Sequence, residues 1–229
     1  MVYDELVHAS VHSGLRASRV PSSRRVGFAH NDVEALRTVL RRIGNDGSTV
    51  FLALESLYSM DGDFAPLKEI LDVLNGYIPR ERQCVVLDEA HSTAIYGDKG
   101  RGVAHLLGEA GGGRGRVGVR LMTFGKAVGC SGGEHSTPRS PSRAVCAERV
   151  DLNVSILAVL LCSLTIRSFL INFARPLIFS TALPHSTLIA LECAWDLLQS
   201  EKGDRVRLSR SASYPSLILH DSFGQTSSP

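Results

Sequence analysis

The chain of 229 residues lacks the features that mark several large classes of protein. Its five cysteines are scattered and odd in number, and none of them forms a Cys-x-x-Cys pair or another metal-ligand spacing. This pattern argues against a disulfide framework or a zinc site and favours buried thiols in a reducing compartment. The formal net charge is only +2 and the arginine clusters have no interleaved aromatic residues, so no nucleic-acid partner is expected.

Long apolar runs are also missing. The start of the chain, Met1–Glu5, has neither the basic residues nor the apolar run of a signal peptide. The most membrane-like stretch, Val154–Ile166, has 13 residues, and a membrane-spanning helix needs about 20. We therefore predict a buried strand that runs into a helix there, no membrane span, and a cytoplasmic location.

The chain does contain enough apolar material for a sizeable core, with 44% hydrophobic and 21% charged residues. Predicted strands and helices alternate, which is typical of an α/β fold with a mainly parallel sheet flanked by helices. The predicted strands are Thr49–Leu54, Cys84–Leu87, Val117–Phe124 and Ile156–Cys162. The predicted helices are Val33–Ile43, Pro66–Leu74, Thr165–Ala174 and His185–Ser200.

Two segments interrupt this alternation. Residues 134–157 are rich in serine, proline and arginine, and we predict an irregular insert there. Residues 209–229 have no periodicity and are predicted to be a disordered tail. Residues 1–208 then form a single domain that contains the insert.

Two reactive side chains directly follow predicted strands. Asp88 comes directly after the strand Cys84–Leu87, and His91 follows three residues later. Lys126 lies just past the strand Val117–Phe124. Ligands of open α/β sheets bind beyond the carboxyl ends of the strands, so Asp88 and Lys126 should meet at one edge. Pyridoxal phosphate requires a carboxylate that keeps its pyridine nitrogen protonated and a lysine amine that forms a Schiff base with its aldehyde. The two residues therefore predict a pyridoxal phosphate site.

A different chemistry is conceivable at Gly129–Gly133, because the sequence Gly-Cys-Ser-Gly-Gly has the G-x-S-x-G form of a hydrolase nucleophile elbow. A hydrolase would also need an acid and then a histidine downstream, and Asp151 followed by His185 is available. Asp151, however, lies in the irregular insert. Small residues after Lys126 also let the backbone pass close to a cofactor, so the cofactor interpretation is preferred.

The chain resembles the α-oxoamine synthases, pyridoxal phosphate enzymes of fold type I, and among them the 8-amino-7-oxononanoate synthases of biotin biosynthesis. Runs that match the family occur in the family's order over most of the chain. They are Asp4–Ser10, Phe28–Asp32, Glu55–Asp63, Leu87–Ser92, Gly100–Gly102, Thr123–Lys126 and Phe173–Thr181. The fold implied by this resemblance is part of the fold type I large domain.

The resemblance also implies roles for the residues that bind the cofactor ring. Lys126 would be the Schiff-base lysine and later the base that removes the Cα proton of the substrate. Asp88 would pair with the pyridine nitrogen, and His91 would hydrogen-bond the phenolic oxygen. His8 would stack on the ring and act with Lys126 in catalysis.

Four hydroxyl residues complete the implied site. Ser59 and Thr123 would line the cofactor pocket, while Ser180 and Thr181 would reach the phosphate of the cofactor in a neighbouring subunit, which implies a homodimer. Glu55 either touches the substrate or braces its loop, and the sequence leaves both roles open.

The activity that the resemblance implies is the decarboxylative condensation of an amino acid with an acyl-coenzyme A. The matching runs do not include the family's glycine-rich phosphate-binding segment or its substrate-carboxylate arginine. The alternative is therefore a catalytically silent protein of the same fold, either a truncated fragment or a partner subunit.

Overall fold

The computed structural model describes residues 1–43, 47–111, 115–130, 144–149, 157–180 and 183–200. The strands of this part of the chain are β1 (Val2–Asp4), β2 (Val26–Phe28), β3 (Val50–Glu55), β4 (Gln83–Asp88), β5 (Val119–Thr123), β6 (Ala144–Arg149) and β7 (Leu157–Cys162). Its helices are α1 (Ala9–Ala17), α2 (Val33–Ile43), α3 (Leu67–Tyr77), α4 (Val103–Leu106), α5 (Leu164–Phe173), α6 (Arg175–Ile178) and α7 (His185–Gln199). Single 3₁₀ turns occur at Ser22–Arg24, Arg80–Arg82 and Asp98–Gly100.

The strands form one seven-stranded sheet in the order β2-β1-β3-β4-β5-β7-β6. The pairs from β2 through β5 are all parallel, whereas β7 pairs antiparallel with both β5 and β6. The α/β fold with a mainly parallel sheet and flanking helices is therefore confirmed. Parallel strands require crossover connections, and α2 and α3 provide two of them.

One face of the sheet carries the main core. Leu52 and Leu54 of β3 and Leu87 of β4 point to this face, where they pack with Leu36 of α2 and Ile70 of α3. Each of these side chains is at most 2% exposed. Burial of a leucine or isoleucine side chain stabilises the fold by about 1.5–3 kcal/mol, so this layer fixes the faces of both strands. Because side chains alternate along a strand, Glu55 after Leu54 and Asp88 after Leu87 point to the opposite face of the sheet.

The start of α2 shows how the sequence sets a helix boundary. The carboxylate of Asp32 accepts a hydrogen bond from the backbone N–H of Ala35 at 2.8 Å, which satisfies a donor that the helix itself leaves unpaired. Leu36 and Leu40 follow on one face and are fully buried. Capping and apolar spacing thus agree on the helix Val33–Ile43, whose bounds match the sequence prediction.

The described part of the apolar stretch Val154–Ile166 is a strand followed by a helix, as predicted. Strand β7 ends at Cys162, and the hydroxyl of Ser163 accepts a hydrogen bond from the backbone N–H of Ile166 at 3.3 Å, which caps α5. No helix in the described ranges is both long and apolar enough to cross a membrane.

The structure corrects the sequence analysis at the irregular segment and adds elements that it missed. Residues 134–157 were expected to be irregular throughout, but Ala144–Arg149 form β6, whose register with β7 runs from Ala144–Cys162 to Arg149–Leu157. Pairing with β7 gives this segment a strand that its own composition does not indicate. Elements β1, β2 and α1 were also not predicted. The predicted tail, residues 209–229, lies outside the described residues.

Candidate functional site

Strands β3, β4 and β5 end side by side at one edge of the sheet. Glu55 and Asp88 are direct partners in the parallel register, and Asp88 in turn partners Leu121. Hydrogen bonds continue past the strand ends, because the Ser56 N–H donates to the Asp88 carbonyl and the Glu89 N–H donates to the Leu121 carbonyl, each at 2.8 Å. The side chains that follow the three strands therefore emerge at one place.

Asp88 contributes a partly buried carboxylate to this edge. One of its oxygens accepts a hydrogen bond from the backbone N–H of Ala90 at 2.8 Å. Burial raises the pKa of Asp88, and the Ala90 hydrogen bond and the positive charges of Lys126 and His8 lower it in part. A buried carboxylate with a raised pKa is stabilised in its charged form by a neighbouring cation.

Lys126 lies directly beside His91, with Nζ 2.7 Å from Nε2 of the imidazole. Burial lowers the pKa of His91, and the charges of Lys126 and His8 lower it further, so the neutral ring accepts the hydrogen bond. Burial also lowers the pKa of Lys126, although the negative charges of Asp88 and Glu55 oppose that effect. The lysine is thus held where loss of its proton is easier than in water, which a nucleophilic amine requires.

His8 lies at the start of α1, where its Nδ1 accepts a hydrogen bond from the backbone N–H of Ser10 at 3.2 Å. Its side chain is exposed, and its charge acts on both Asp88 and His91. The structure therefore brings His8, Asp88, His91 and Lys126 together, although they come from three separate segments of the chain.

The four hydroxyl residues are placed differently. Thr123 ends β5 and is 2% exposed, three residues before Lys126. Ser59 is exposed in the loop after β3. The Ser180 hydroxyl donates to the carbonyl of Leu177 at 2.9 Å, at the end of α6, and this contact does not reach the cluster around Asp88. Thr181 lies outside the described residues, so its predicted role and those of the other three stay predictions.

Glu55 is the residue of this edge whose role the sequence left open. Its side chain is 3% exposed at the end of β3. Burial, together with the negative charge of Asp88, raises the pKa of Glu55 to about 7, while a hydrogen bond from the His8 backbone and the charge of Lys126 act in the opposite direction. The signal in the sequence is its position directly after a predicted strand, which places it on the same edge as Asp88.

A buried ion pair between Glu89 and Arg120 holds the ends of β4 and β5 in place. Glu89 is fully buried and Arg120 is 3% exposed, and the guanidinium of Arg120 donates to the Glu89 carboxylate and to the carbonyl of Arg101. The other Glu89 oxygen accepts the backbone N–H of Ala104 at 2.9 Å. Gly102 has a φ of +88°, and a Cβ there would collide with the Glu89 carboxylate. The pair thus ties β4, β5 and the turn before α4 together.

A second group of possible ligand atoms comprises His30, Asp61 and Asp63, whose atoms lie within 4.8 Å of one another. The two ring nitrogens of His30 already contact carboxylates, Nδ1 that of Asp4 at 2.9 Å and Nε2 that of Asp63 at 3.0 Å. Both ring nitrogens of His30 are therefore engaged by carboxylates. The residues of the hydrolase alternative, Ser131 and Asp151, lie outside the described part of the chain.

Comparison with known proteins identifies similar chains. The family model described as "Aminotransferase class I and II" matches residues 1–214. An 8-amino-7-oxononanoate synthase from Emericella nidulans is 35% identical over 214 residues, which are 90% of this chain and 44% of the relative. An aminoacyl transferase sphA from Aspergillus fumigatus is 32% identical over 207 residues, 87% of this chain and 37% of the relative. This chain thus spans less than half the length of these curated relatives.

Solved structures give the same result. A serine palmitoyltransferase from Sphingomonas wittichii matches with a TM-score of 0.67 and 26% identity, over 89% of this chain and 42% of that chain. A high-resolution structure of SPT with PLP as the internal aldimine matches with a TM-score of 0.69 and 27% identity, over 92% of this chain and 44% of that one. The structural similarity therefore extends over 89% to 92% of this chain.

Proposed function

Because the chain belongs to the aminotransferase class I and II family, we propose that it holds pyridoxal phosphate at the edge formed by β3, β4 and β5. The convergence of Asp88, His91 and Lys126 at this edge is the observation that carries the proposal. The names of the relatives confirm the resemblance to the α-oxoamine synthases.

The residues present fit this cofactor. Asp88 is a partly buried carboxylate whose raised pKa means that its charged form needs a nearby cation, and the protonated pyridine nitrogen would be such a cation. His91 would donate to the phenolic oxygen, and His8 would lie against the ring. Ser59 and Thr123 would line the pocket, as the resemblance implies. When bound, the cofactor withdraws electrons from the Cα atom of an amino acid and so stabilises a carbanion there.

The side chains of the cluster prepare Lys126 for its part in this chemistry. Its amine binds the cofactor's aldehyde only in the neutral form, and burial lowers its pKa toward that form. The neutral His91 ring accepts a hydrogen bond from Nζ and fixes the direction of the amine. Lys126 would also be the general base that removes the Cα proton of the substrate.

The proposed reaction is the condensation of an amino acid with an acyl-coenzyme A thioester, with loss of carbon dioxide, as in an 8-amino-7-oxononanoate synthase of biotin biosynthesis. The relatives act on different substrates by name, and this chain spans 44% and 37% of the length of two of them. The amino acid, the acyl group, the homodimer in which Ser180 and Thr181 reach a second cofactor, and the cytoplasmic location are all parts of the proposal. The alternative is a silent protein of the same fold.

The cofactor proposal is tested by absorbance. The purified protein mixed with pyridoxal phosphate should develop an absorbance band at about 420 nm, which reports a lysine-bound cofactor. Lys126→Ala should lose this band, whereas the control Lys68→Ala, at an exposed position of α3, should keep it. A band of equal strength in Lys126→Ala would reject the assignment.

A turnover assay separates the active enzyme from the silent alternative. The cofactor-loaded protein is incubated with candidate amino acids and acyl-coenzyme A, and released free coenzyme A and carbon dioxide are measured. Release that depends on both substrates and on Lys126 supports the synthase. A protein that binds the cofactor but releases neither product supports the silent form.

A further inference from the structure

His8 is an exposed residue whose backbone is fixed on both sides. The fully buried carboxylate of Asp4 accepts the N–H of Leu6 at 2.9 Å, and the Asp4 carbonyl accepts the N–H of Val7 at 3.2 Å. The carbonyl of His8 itself accepts the N–H of Val11 at 2.9 Å, at the first turn of α1. These bonds set the position of the His8 backbone, but they do not restrain its ring.

Ser10 restrains that ring through two contacts with one atom. Nδ1 of His8 lies 2.8 Å from the Ser10 hydroxyl oxygen, and it accepts the Ser10 backbone N–H at 3.2 Å. The first N–H groups of a helix have no partner within the helix, and the side chain before the helix usually caps one of them. His8 is in that capping position, so the bonds that cap α1 also hold the imidazole.

The same contacts determine which ring nitrogen carries the proton. A backbone N–H only donates, so Nδ1 accepts with its lone pair and carries no proton in the neutral ring. The Ser10 hydroxyl rotates to suit its partner and donates to the same atom. The proton of the neutral ring is therefore on Nε2.

A side chain that is held before a ligand arrives strengthens binding without a new contact. An exposed side chain loses rotational freedom when a ligand packs against it, and this loss opposes binding. The His8 ring has already lost much of that freedom through its contacts with Ser10. Ser10 can thus raise the affinity for a cofactor that it does not touch.

We propose that Ser10 is a positioning residue for His8. Its hydroxyl and its N–H hold the imidazole in one orientation, with the proton on Nε2, so that the ring is already ordered when the cofactor binds. This inference rests on the proposed function, in which His8 lies against the cofactor ring. It adds to that site a residue that acts only through His8.

The first test uses the protein without cofactor. Histidine labelled with ¹⁵N and ¹³C in the ring is incorporated, and the His8 signals are assigned by their absence in His8→Ala. At about pH 8, above the ordinary imidazole pKa of about 6.5, Nδ1 should have the ¹⁵N shift of an unprotonated nitrogen and Nε2 that of a protonated one. Ser10→Ala should lower the order parameter of the ring, measured by ¹³C relaxation, toward the values below about 0.6 that mark a flexible group.

Ser13→Ala is the matched control for this measurement, because Ser13 belongs to the same helix and its hydroxyl accepts from Arg16 at 2.9 Å. It should leave the His8 signals and the ring order parameter unchanged. A proton on Nδ1 of the wild type, or a ring that is equally rigid in Ser10→Ala, would overturn the proposal.

The second test is a double-mutant cycle on cofactor affinity, with dissociation constants taken from titrations of the band at about 420 nm. Ser10→Ala should weaken binding by about 2- to 10-fold, the range expected when one more side chain must be ordered on binding. Ser10→Thr keeps a hydroxyl at this position and should retain most of the affinity. In the His8→Ala background, Ser10→Ala should have no further effect, because the ring that it positions is absent.

The outcomes distinguish this inference from the proposed function. A wild-type protein that never forms the band contradicts the cofactor site, and the ring signals of the first test then decide alone whether Ser10 holds His8. An unchanged affinity in Ser10→Ala, or an equal loss with and without His8, overturns the positioning role and leaves the cofactor site intact. If Ser10→Ala does not fold, Ser10→Cys takes its place, because it replaces the hydroxyl by a weak S–H donor.

Discussion

His30 shows at the residue scale how one side chain joins three segments. Its ring bonds Asp4 at the end of β1 and Asp63 in the loop after β3, and it packs edge-on against Tyr58 with ring centroids 4.4 Å apart. The next residue, Asn31, has a φ of +53° and donates through its own N–H to Asp4 at 2.8 Å. A protonated imidazole can donate to both carboxylates at once, which a neutral ring cannot do.

This geometry predicts a pH-dependent stability. Burial lowers the pKa of His30, but the hydrogen bonds to Asp4 and Asp63 outweigh it and the pKa is raised above 6.5. Because the pKa of His30 is higher in the folded state, its contribution to folding stability is complete below the pKa of the unfolded state, about 6.5. That contribution is lost as the pH rises through the pKa of the folded state. Chemical unfolding should therefore show the wild type losing stability relative to His30→Gln as the pH rises above 6.5. His185→Gln, at an exposed position, is the control, and a constant difference between wild type and His30→Gln would contradict this role.

At the scale of elements, the Glu89–Arg120 pair fixes how β4 and β5 meet the turn before α4. The pair is buried, and each partner also bonds the backbone: Glu89 that of Ala104 in α4, and Arg120 that of Arg101 in the turn before it. Glu89 directly follows Asp88, so the same contacts hold Asp88 at the edge of the sheet. The pair therefore positions the cofactor site without touching it.

Removing one member of the pair should cost more stability than replacing both. Glu89→Gln leaves the Arg120 charge buried without a partner, which we expect to cost about 3–5 kcal/mol of unfolding free energy. The double variant Glu89→Gln/Arg120→Met removes the charge as well and should recover part of that loss. Urea unfolding of both variants and of Arg120→Met gives the coupling energy. Additive losses would show that the two side chains act independently.

The elements with a strong periodicity were predictable, and those that depend on distant partners were not. Helix α2 has both its cap and its apolar face in its own sequence, and β3 and β4 are apolar enough to be recognised alone. Strand β1 has three residues, too few for a pattern, and β6 is a strand because it pairs with β7. In the site, Asp88 and Lys126 follow from the rule that ligands bind at strand ends. The burial of Glu55 and the His30 contacts depend on tertiary packing, which the sequence does not display.

On the scale of the whole molecule, exposed apolar side chains are concentrated in the last helices. Of the twelve large apolar residues exposed in the described ranges, eight lie between Leu164 and Leu197. Phe169 and Phe173 of α5 are 61% and 67% exposed and touch each other, with ring centroids 4.8 Å apart. Such a concentration is typical of a surface that another protein covers.

We expect this surface to take part in the proposed homodimer. The variant Phe169→Ser/Phe173→Ser should shift the molar mass measured by light scattering toward that of the monomer, because two large apolar contacts are lost. Met60→Ser removes an even more exposed apolar side chain from the loop after β3 and is the control. A dimer that persists unchanged in the double variant would place the interface elsewhere.

The parallel and the antiparallel strands of the sheet differ in the residues that they contribute to the proposed cofactor site. The cluster of His8, Asp88, His91 and Lys126 lies at or after the ends of β1, β4 and β5. Strands β7 and β6 are added on the side of β5 that faces away from β4. Changes in chain length between Cys130 and Leu157 therefore fall after Lys126, the last residue of the proposed cofactor site, and outside the crossovers that align its other residues. We therefore expect a tag or a foreign domain inserted at this junction to leave the proposed cofactor site intact.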